Sequence, residues 1–169
     1  MTAAQRIREL ARKRASMKFD DELGQSYLEG LRRSTYKGKA KTKLIRMVLH
    51  SIETLSETTS DVIRVADFGC GGGEILELLH QQVEGLNVEL WGFDYNKELM
   101  NSFEIEHPNI NFVHADLLTA DLSQYDNFFD IIFTVNTLHE VYSFSNTGSA
   151  TLNTAKARSE IEAVIQKLS

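Results

Sequence analysis

The sequence predicts an α/β protein with a doubly wound parallel sheet, and three observations predict this fold class. From residue 62 onward, short apolar runs alternate with amphipathic segments of helical period, as in parallel strands joined by crossover helices. The stretch VADFGCGGGEIL, residues 65–76, places four glycines within five residues between a strand-like run and a helical one. Acidic residues lie at the ends of the first three predicted strands.

Three helical segments come first and predict an N-terminal helical cap or extension over residues 1–58. Segment 3–14 has the pattern of a short basic helix. Segment 20–33 carries acids in its first turn and arginines at its end, which suits the helix dipole. Segment 41–56 shows a continuous apolar stripe. We expect the apolar faces of the second and third helices to pack on the rest of the protein and to close over a ligand.

Residues 59–169 form the predicted body, in which strand and helix patterns alternate. Each predicted strand is a short apolar run, and each predicted helix places its apolar residues on one face. The predicted strands are 62–68, 87–94, 110–116 and 129–136, and the predicted helices are 73–83, 96–107 and 151–169. Connections between parallel strands are right-handed, so the helices are expected to cover the sheet.

Composition narrows the class of protein. The chain of 169 residues is 42% hydrophobic and 25% charged, which is ordinary for a soluble globular domain. No apolar run approaches the roughly 20 residues of a membrane span, and the N-terminus lacks the apolar stretch of a signal peptide. The single cysteine, Cys70, excludes an internal disulfide framework and a cysteine-based zinc site. These features predict a cytoplasmic protein.

Charge is distributed unevenly along the chain. Residues 1–50 hold 13 Lys/Arg and 5 Asp/Glu, whereas residues 51–169 hold 5 Lys/Arg and 19 Asp/Glu. A basic arm on an acidic body either packs on that body or contacts a polyanion such as nucleic acid. The first alternative is favoured because no aromatic-rich or repeated basic motif accompanies the charge.

The glycine-rich turn excludes two common nucleotide sites. A dinucleotide fingerprint would require a third glycine at position 74, which is Glu74, and no Gly-Lys-Ser/Thr of a phosphate loop follows. Asp67, two residues before Gly69, would repel phosphates and favour a cation such as an ammonium. The turn therefore indicates a nucleoside that carries positive charge rather than a phosphate chain.

Two further acids fit the same ligand. Asp94 lies about 20 residues beyond the glycine turn, at the distance where a carboxylate reaches ribose hydroxyls in nucleotide-binding folds. Asp116 ends the third strand, where it can accept a hydrogen bond from an exocyclic amine such as that of adenine. Ligands of open α/β sheets bind at the carboxyl ends of the strands, so Asp67, Asp94 and Asp116 are expected at one crevice. Taken singly, each acid can also be read as a helix cap or a turn former.

The chain resembles a known family at this point. VADFGCGGG, ELWGFDYNKELM, FVHADLL and FDIIFTVNTLHEVY are similar, in order and spacing, to the first four motifs of class I S-adenosylmethionine-dependent methyltransferases, which have a Rossmann-like fold. The resemblance covers roughly residues 60–142. It implies S-adenosylmethionine as the cofactor and methyl transfer as the activity.

The resemblance also implies a set of cofactor-binding residues. Asp67 would lie near the methionine amine, Asp94 would hold both ribose hydroxyls, and Asp116 would bind the adenine amine. The implied set is Asp67, Gly69, Cys70, Gly71, Asp94, Tyr95, Asp116, Leu117 and Asn136. The backbone of Gly69, Cys70 and Gly71 would approach the methionine part. We interpret Cys70 as a small turn residue rather than a catalytic thiol, because no basic residue nearby in sequence would lower its pKa.

The fourth motif carries the candidate catalytic residues. TLHEVYSF resembles the Leu-His-acid signature of members that act on small molecules, which implies a small-molecule acceptor. His139 is a candidate general base or substrate ligand, and Glu140 would orient it or cap a helix. Both also have a purely structural interpretation. The sequence shows no Asn-Pro-Pro-Tyr-like motif, which disfavours a nucleic-acid methyltransferase. Two alternatives stay open: a non-catalytic cofactor-binding or scaffold domain, and an RNA methyltransferase that uses the basic N-terminal arm.

The chain departs from the family after the fourth strand. A complete fold of this family has seven strands, whereas the sequence continues into the helical segment 151–169. An uncovered apolar fourth strand would be an aggregation-prone edge. The expectation is therefore a C-terminally incomplete domain, either a fragment or a chain completed by a partner. The other histidines show no metal-ligand spacing, so no metal is expected, and the oligomeric state stays open.

Overall fold

A computed structural model describes residues 39–135, 137–138 and 154–168. The elements are α1 (Lys39–Ser56), β1 (Ile63–Phe68), α2 (Glu74–His80), β2 (Val88–Asp94), α3 (Lys97–Glu106), β3 (Ile110–His114), a short 3-10 helix (Ser123–Tyr125), β4 (Ile131–Phe133) and α4 (Thr154–Leu168). These elements confirm the predicted helix at 41–56 and the alternation that follows it. The predicted helices 3–14 and 20–33 lie outside the described residues.

The four described strands form one parallel sheet in the order β3-β2-β1-β4. Asp67 of β1 lies opposite Gly92 of β2, and Asp94 of β2 lies opposite His114 of β3. Parallel pairing brings the carboxyl ends of these strands to one edge, and this edge carries the predicted acids. The predicted doubly wound α/β class is confirmed.

The fourth strand is shorter than the sequence predicts. It pairs with β1 from Ile131 to Phe133 only, although the apolar run extends over 129–136. Immediately after it, the hydroxyl of Thr134 donates to the Phe68 carbonyl at 2.7 Å. The Thr134 side chain thus bonds to a carbonyl of β1 where a longer strand would use its backbone, and the β1–β4 pairing ends at Phe133.

The two faces of the sheet bury different kinds of side chain. Helices α1 and α2 cover one face with aliphatic residues, including Ile52 and Leu76, which are fully buried against Val65 of β1. Helix α4 covers the other face, where Val164 packs with an aromatic group around Phe93. The period-2 alternation of each strand supplies both faces.

The aromatic face also contains a cavity of about 380 Å³, and Phe68, Phe129 and Ile132 are among the residues that line it. Beside it, the ammonium of Lys167 donates to the carbonyls of Leu117 and two nearby residues at 3.1–3.2 Å. This contact fixes the end of α4 to the loop after β3. Within the described ranges, no helix is long and apolar enough to cross a membrane.

Candidate functional site

The glycine-rich turn continues directly from β1 into α2. The amides of Gly69 and Cys70 both donate to the Phe93 carbonyl, at 2.7 and 3.0 Å, so the turn starts against the end of β2. Gly69 has a φ of 83°, and a Cβ at this position would overlap the side chain of Thr137. Only glycine meets both demands without strain. The turn therefore lies tightly between β2 and the residues that follow β4.

Asp67 is the most deeply buried acid of the site. The residue is 1% exposed, and its Oδ1 has no hydrogen-bond partner among the described residues. Burial raises the pKa of Asp67 well above its usual value, the charges of Asp94 and Glu74 raise it further, and Lys41 opposes them. A buried carboxylate oxygen without a partner is costly. Such a group in a native fold requires an explanation, and a cationic ligand supplies one.

Asp94 fastens the glycine turn to the end of β2. Its Oδ2 accepts from the amide of Gly71 and its Oδ1 accepts from the amide of Asn96, both at 2.8 Å. Burial raises the pKa of Asp94, while these amide bonds and the charge of His114 act in the opposite direction. An ionised carboxylate has about four acceptor positions. Asp94 therefore keeps acceptor capacity for ligand hydroxyls while it holds the turn.

The end of β3 has a different character. Asp116 is exposed, and its carboxylate accepts from the amide of Leu118 at 2.9 Å and from the hydroxyl of Thr119 at 3.2 Å. The turn-forming interpretation of Asp116 is confirmed, and its contact with adenine stays a prediction. The amide of Ala115 donates to the Asp94 carbonyl at 2.9 Å, which places this turn directly beside the end of β2.

Tyr95 and Leu117 flank these two strand ends. Tyr95 is 52% exposed, and its backbone carbonyl lies 2.8 Å from Nε2 of His114. Leu117 is buried and belongs to the aromatic-face core. Their predicted contacts with adenine remain predictions. Three other predicted residues, Asn136, His139 and Glu140, lie outside the described part of the chain.

Cys70 is buried in the glycine turn. Burial raises the pKa of its thiol well above the usual value, and the neighbouring charges of Asp67 and Asp94 raise it further. The sulfur also lies 2.8 Å from the position that a Cβ on Gly92 would take. A protonated, enclosed thiol is a poor nucleophile, which supports the interpretation of Cys70 as a small packing residue.

Two contributions to the site escaped the sequence analysis. Glu74 is a third buried acid, at the start of α2, whereas the sequence had identified it only as a mismatch to the dinucleotide fingerprint. Thr134 and Thr137 both donate to the Phe68 carbonyl, at 2.7 and 3.0 Å. In the sequence, Glu74 resembles any acid in the first turn of a helix, where a negative charge interacts favourably with the helix dipole. The paired threonines give no signal until β4 is placed beside β1.

The resulting arrangement suits an organic cation with hydrogen-bonding groups. Asp67, Glu74 and Asp94 make the space around the glycine turn electronegative, and backbone amides occupy part of the Asp94 carboxylate. No group of three or more His, Cys, Asp or Glu side chains with the arrangement of a metal site occurs in the described ranges. These carboxylates are hydrogen-bond acceptors that suit a ligand with an ammonium group and hydroxyl groups.

Comparison with known proteins gives a family match. The family model described as a methyltransferase domain matches residues 65–158. The matched range contains the glycine turn and the ends of all four strands. A search of curated proteins gave no significant match.

Two solved structures show the same fold at low sequence identity. The citrinin polyketide synthase CMeT domain is 15% identical with a TM-score of 0.56, covering 88% of this chain and 45% of its own. The CurJ carbon methyltransferase is 19% identical with a TM-score of 0.54, covering 83% and 37% respectively. The plantazolicin methyltransferase BpumL, crystallised with a pentazolic desmethylPZN analog and SAH, is 16% identical with a lower TM-score of 0.47, covering 96% and 72%. The chain thus spans less than half the length of the first two.

Proposed function

The chain belongs to the methyltransferase-domain family, which uses S-adenosylmethionine, and from this premise we propose that it transfers the cofactor's methyl group to a small-molecule acceptor. The observation that carries the proposal is the buried carboxylate of Asp67, whose Oδ1 has no partner within the described part of the chain. It lies beside Asp94 at the turn that the family match covers.

The residues of the turn fit this cofactor in three respects. Asp67 offers a buried carboxyl group that a ligand ammonium would hold in its ionised form. Gly69 and Gly71 have positive φ values of 83° and 58°, and without side chains they let a ligand approach the backbone. Asp94 retains acceptor capacity for a ribose, and Asp116, just beyond β3, would bind the adenine amine.

The cofactor supplies an electrophilic methyl group on a sulfonium, so the main task of the protein is to position the acceptor in line with it. Asp67 would hold the methionine ammonium, and Asp94 would hold the ribose hydroxyls. His139 would accept the acceptor's proton or bind the acceptor, with Glu140 orienting it, and Asn136 would lie below the methionine part. These three assignments rest on the motif resemblance.

A small-molecule acceptor is supported by the sequence TLHE that follows β4, together with the lack of a base-flipping motif there. The composition supports a cytoplasmic location. The helical extension over residues 1–58 would cover the acceptor. Its described helix, α1, contributes Val48 and Ile52 to the same core cluster as Cys70 of the glycine turn.

The test uses the 169-residue chain and S-adenosylmethionine carrying a labelled methyl group. Label should pass to a component of a small-metabolite pool and not to an RNA pool, and calorimetry should show binding of S-adenosylhomocysteine. D67N is the matched variant, because it keeps the shape of Asp67 and removes the charge. Tight binding without transfer to any pool would instead indicate a cofactor-binding domain, and label in the RNA pool would overturn the choice of acceptor.

His139→Ala tests the catalytic assignment once an acceptor is found. General base catalysis contributes about 10²–10⁴ to kcat, so a loss of that size with unchanged cofactor affinity is expected. The activity of the unsubstituted protein should also fall as pH drops below the pKa of the histidine. A folded variant with normal kcat and KM would remove His139 from the chemistry.

A further inference from the structure

Thr137 makes the described contacts between the chain that leaves β4 and the glycine turn. Its hydroxyl lies 3.0 Å from the Phe68 carbonyl, 3.5 Å from the Gly69 carbonyl and 3.3 Å from the Val135 carbonyl. A hydroxyl carries one proton, so it donates to one of these oxygens at a time, and the Phe68 carbonyl is the nearest. The hydroxyl is therefore surrounded by acceptors at the point where β1 becomes the turn.

The side chain of Thr137 also fills the space that Gly69 leaves. The three atoms nearest to an added Cβ at Gly69 are Oγ1, Cγ2 and Cβ of Thr137. Gly69 holds a φ of 83°, and its amide bonds to Phe93 on the opposite side. The residue is thus held between β2 and Thr137. Displacing the threonine would free the turn on one side.

Thr134 makes an informative contrast. It donates to the same Phe68 carbonyl, at the shorter distance of 2.7 Å, but none of the three atoms nearest to Gly69 belongs to it. One threonine therefore secures the pairing of β4 with β1, and the other secures the turn itself. The two roles differ although the hydrogen-bond acceptor is shared.

We infer that Thr137 is a positioning residue for the methionine part of the cofactor, an inference that rests on the proposed function. It holds Gly69 in the conformation that presents the turn to the ligand, and it fixes the exit of β4 beside that turn. The nucleoside part depends on Asp94 and Asp116 at the other strand ends. Thr137 should therefore affect one half of the ligand and leave the other half unchanged.

The experiment compares two ligands on the same protein. S-adenosylhomocysteine contains the amino-acid part, and 5′-methylthioadenosine lacks it. Calorimetry gives both dissociation constants for the 169-residue chain and for T137V, T137S and T134V. T137V removes the hydroxyl at constant volume, T137S keeps it, and T134V removes the neighbouring bond to the same carbonyl.

T137V should weaken the binding of S-adenosylhomocysteine about tenfold, equivalent to about 1.4 kcal/mol. It should change the affinity for methylthioadenosine less than twofold. T137S and T134V should keep the ratio of the two affinities near that of the unsubstituted protein. An equal weakening of the binding of both ligands, as a general loss of stability would produce, would overturn the inference. An unchanged ratio in T137V, or an equal fall of the ratio in T134V or T137S, would overturn it as well.

Failure of the proposed function gives a different result. If the unsubstituted chain binds neither ligand, the cofactor assignment falls and takes the role of Thr137 with it. If the unsubstituted chain binds both and T137V matches it, only the inference about Thr137 falls. Should T137V not fold, T137A compared with T137S provides the test, because neither keeps Cγ2 and the two variants differ only in the hydroxyl.

Discussion

The carboxyl ends of β1 and β2 differ sharply from that of β3, although an acid marks all three. Asp67 and Asp94 are 1% and 7% exposed, and burial raises the pKa of each. Asp116 is exposed, and its carboxylate accepts hydrogen bonds from Leu118 and Thr119 of its own turn. The same sequence signal, an acid at a strand end, thus occurs in two different physical environments.

The difference indicates which part of the site depends on a ligand. Two buried carboxylates near one another destabilise the fold unless a cation or amides compensate them. Amides compensate Asp94, whereas Oδ1 of Asp67 has no partner in the described ranges. The carboxylate of Asp116 already has hydrogen-bond partners within its own turn. The buried pair is therefore expected to control cofactor affinity and stability together, and Asp116 to adjust affinity with only a small effect on stability.

The largest effect is expected from Gly69→Ala. A left-handed conformation costs a non-glycine residue about 1–2 kcal/mol, and overlap with a packed side chain adds about 1–3 kcal/mol. The free energy of unfolding should fall by about 3 kcal/mol, measured by urea denaturation, and binding of S-adenosylhomocysteine should be lost.

Gly85→Ala is the matched control for that variant. Gly85 has a φ of 85°, and an added Cβ there meets nothing within 4 Å. Only the conformational cost of about 1–2 kcal/mol should appear, with cofactor binding retained. Equal losses in the two variants would show that Thr137 does not confine the turn at Gly69.

Asp94→Ala should have the next largest effect. It removes the acceptor for the amides of Gly71 and Asn96 and the predicted acceptor for the ribose. Losing hydrogen bonds to a charged group costs about 1.5–3 kcal/mol, so calorimetry should show S-adenosylhomocysteine binding weakened by roughly tenfold to a hundredfold. Unchanged affinity, or comparable binding of NADH, would contradict the assignment of this crevice.

Asp67→Asn should reveal the cost of burying that charge. The folded pKa of Asp67 is raised, so folding favours its protonated form. The stability that this preference contributes is fully present below the unfolded pKa of about 3.9 and is lost as pH rises through the folded pKa. The ligand-free variant should therefore have a higher melting temperature than the unsubstituted protein above that folded pKa.

The same substitution should act in the opposite direction on binding. An ammonium beside Asp67 favours the ionised carboxylate, so binding releases a proton and affinity for S-adenosylhomocysteine should rise with pH. D67N should bind about tenfold more weakly at high pH and lose this component of the pH dependence. A residual slope from Asp94 is expected in both proteins, because its pKa is also raised. Identical pH profiles would show that Asp67 does not face the cation.

The sequence predicted the architecture because periodicity and glycine spacing are local signals. The run VIRVADF and the turn that follows it place Asp67, Gly69 and Gly71 correctly without knowledge of any partner strand. Burial is not local. Asp94 and Asp116 look alike in sequence, and only the pairing of β2 between β1 and β3 encloses the first and leaves the second at the sheet edge.

The unpredicted features all depend on contacts distant in sequence. Thr137 lies 69 residues from Phe68, the residue whose carbonyl it contacts, and no local pattern distinguishes it from other threonines. Glu74 was expected near the turn, but its burial follows from the packing of α2 on the sheet. The ends of β1 and β2 could therefore be predicted from the sequence, whereas the contacts that join one strand end to another required the fold.

Asp116→Ala should give the smallest effect and tests the exposed side of the comparison. Its turn loses the hydrogen bonds to Leu118 and Thr119, at a cost of at most about 1 kcal/mol in unfolding free energy. Its predicted ligand contact is with the adenine amine, so the informative measurement pairs S-adenosylhomocysteine with its inosine analogue, which lacks that amine. The unsubstituted protein should prefer the adenine compound about fivefold or more, and D116A should lose the preference while still binding both. A preference that survives in D116A would leave Asp116 with the turn alone and would mean that another group recognises adenine.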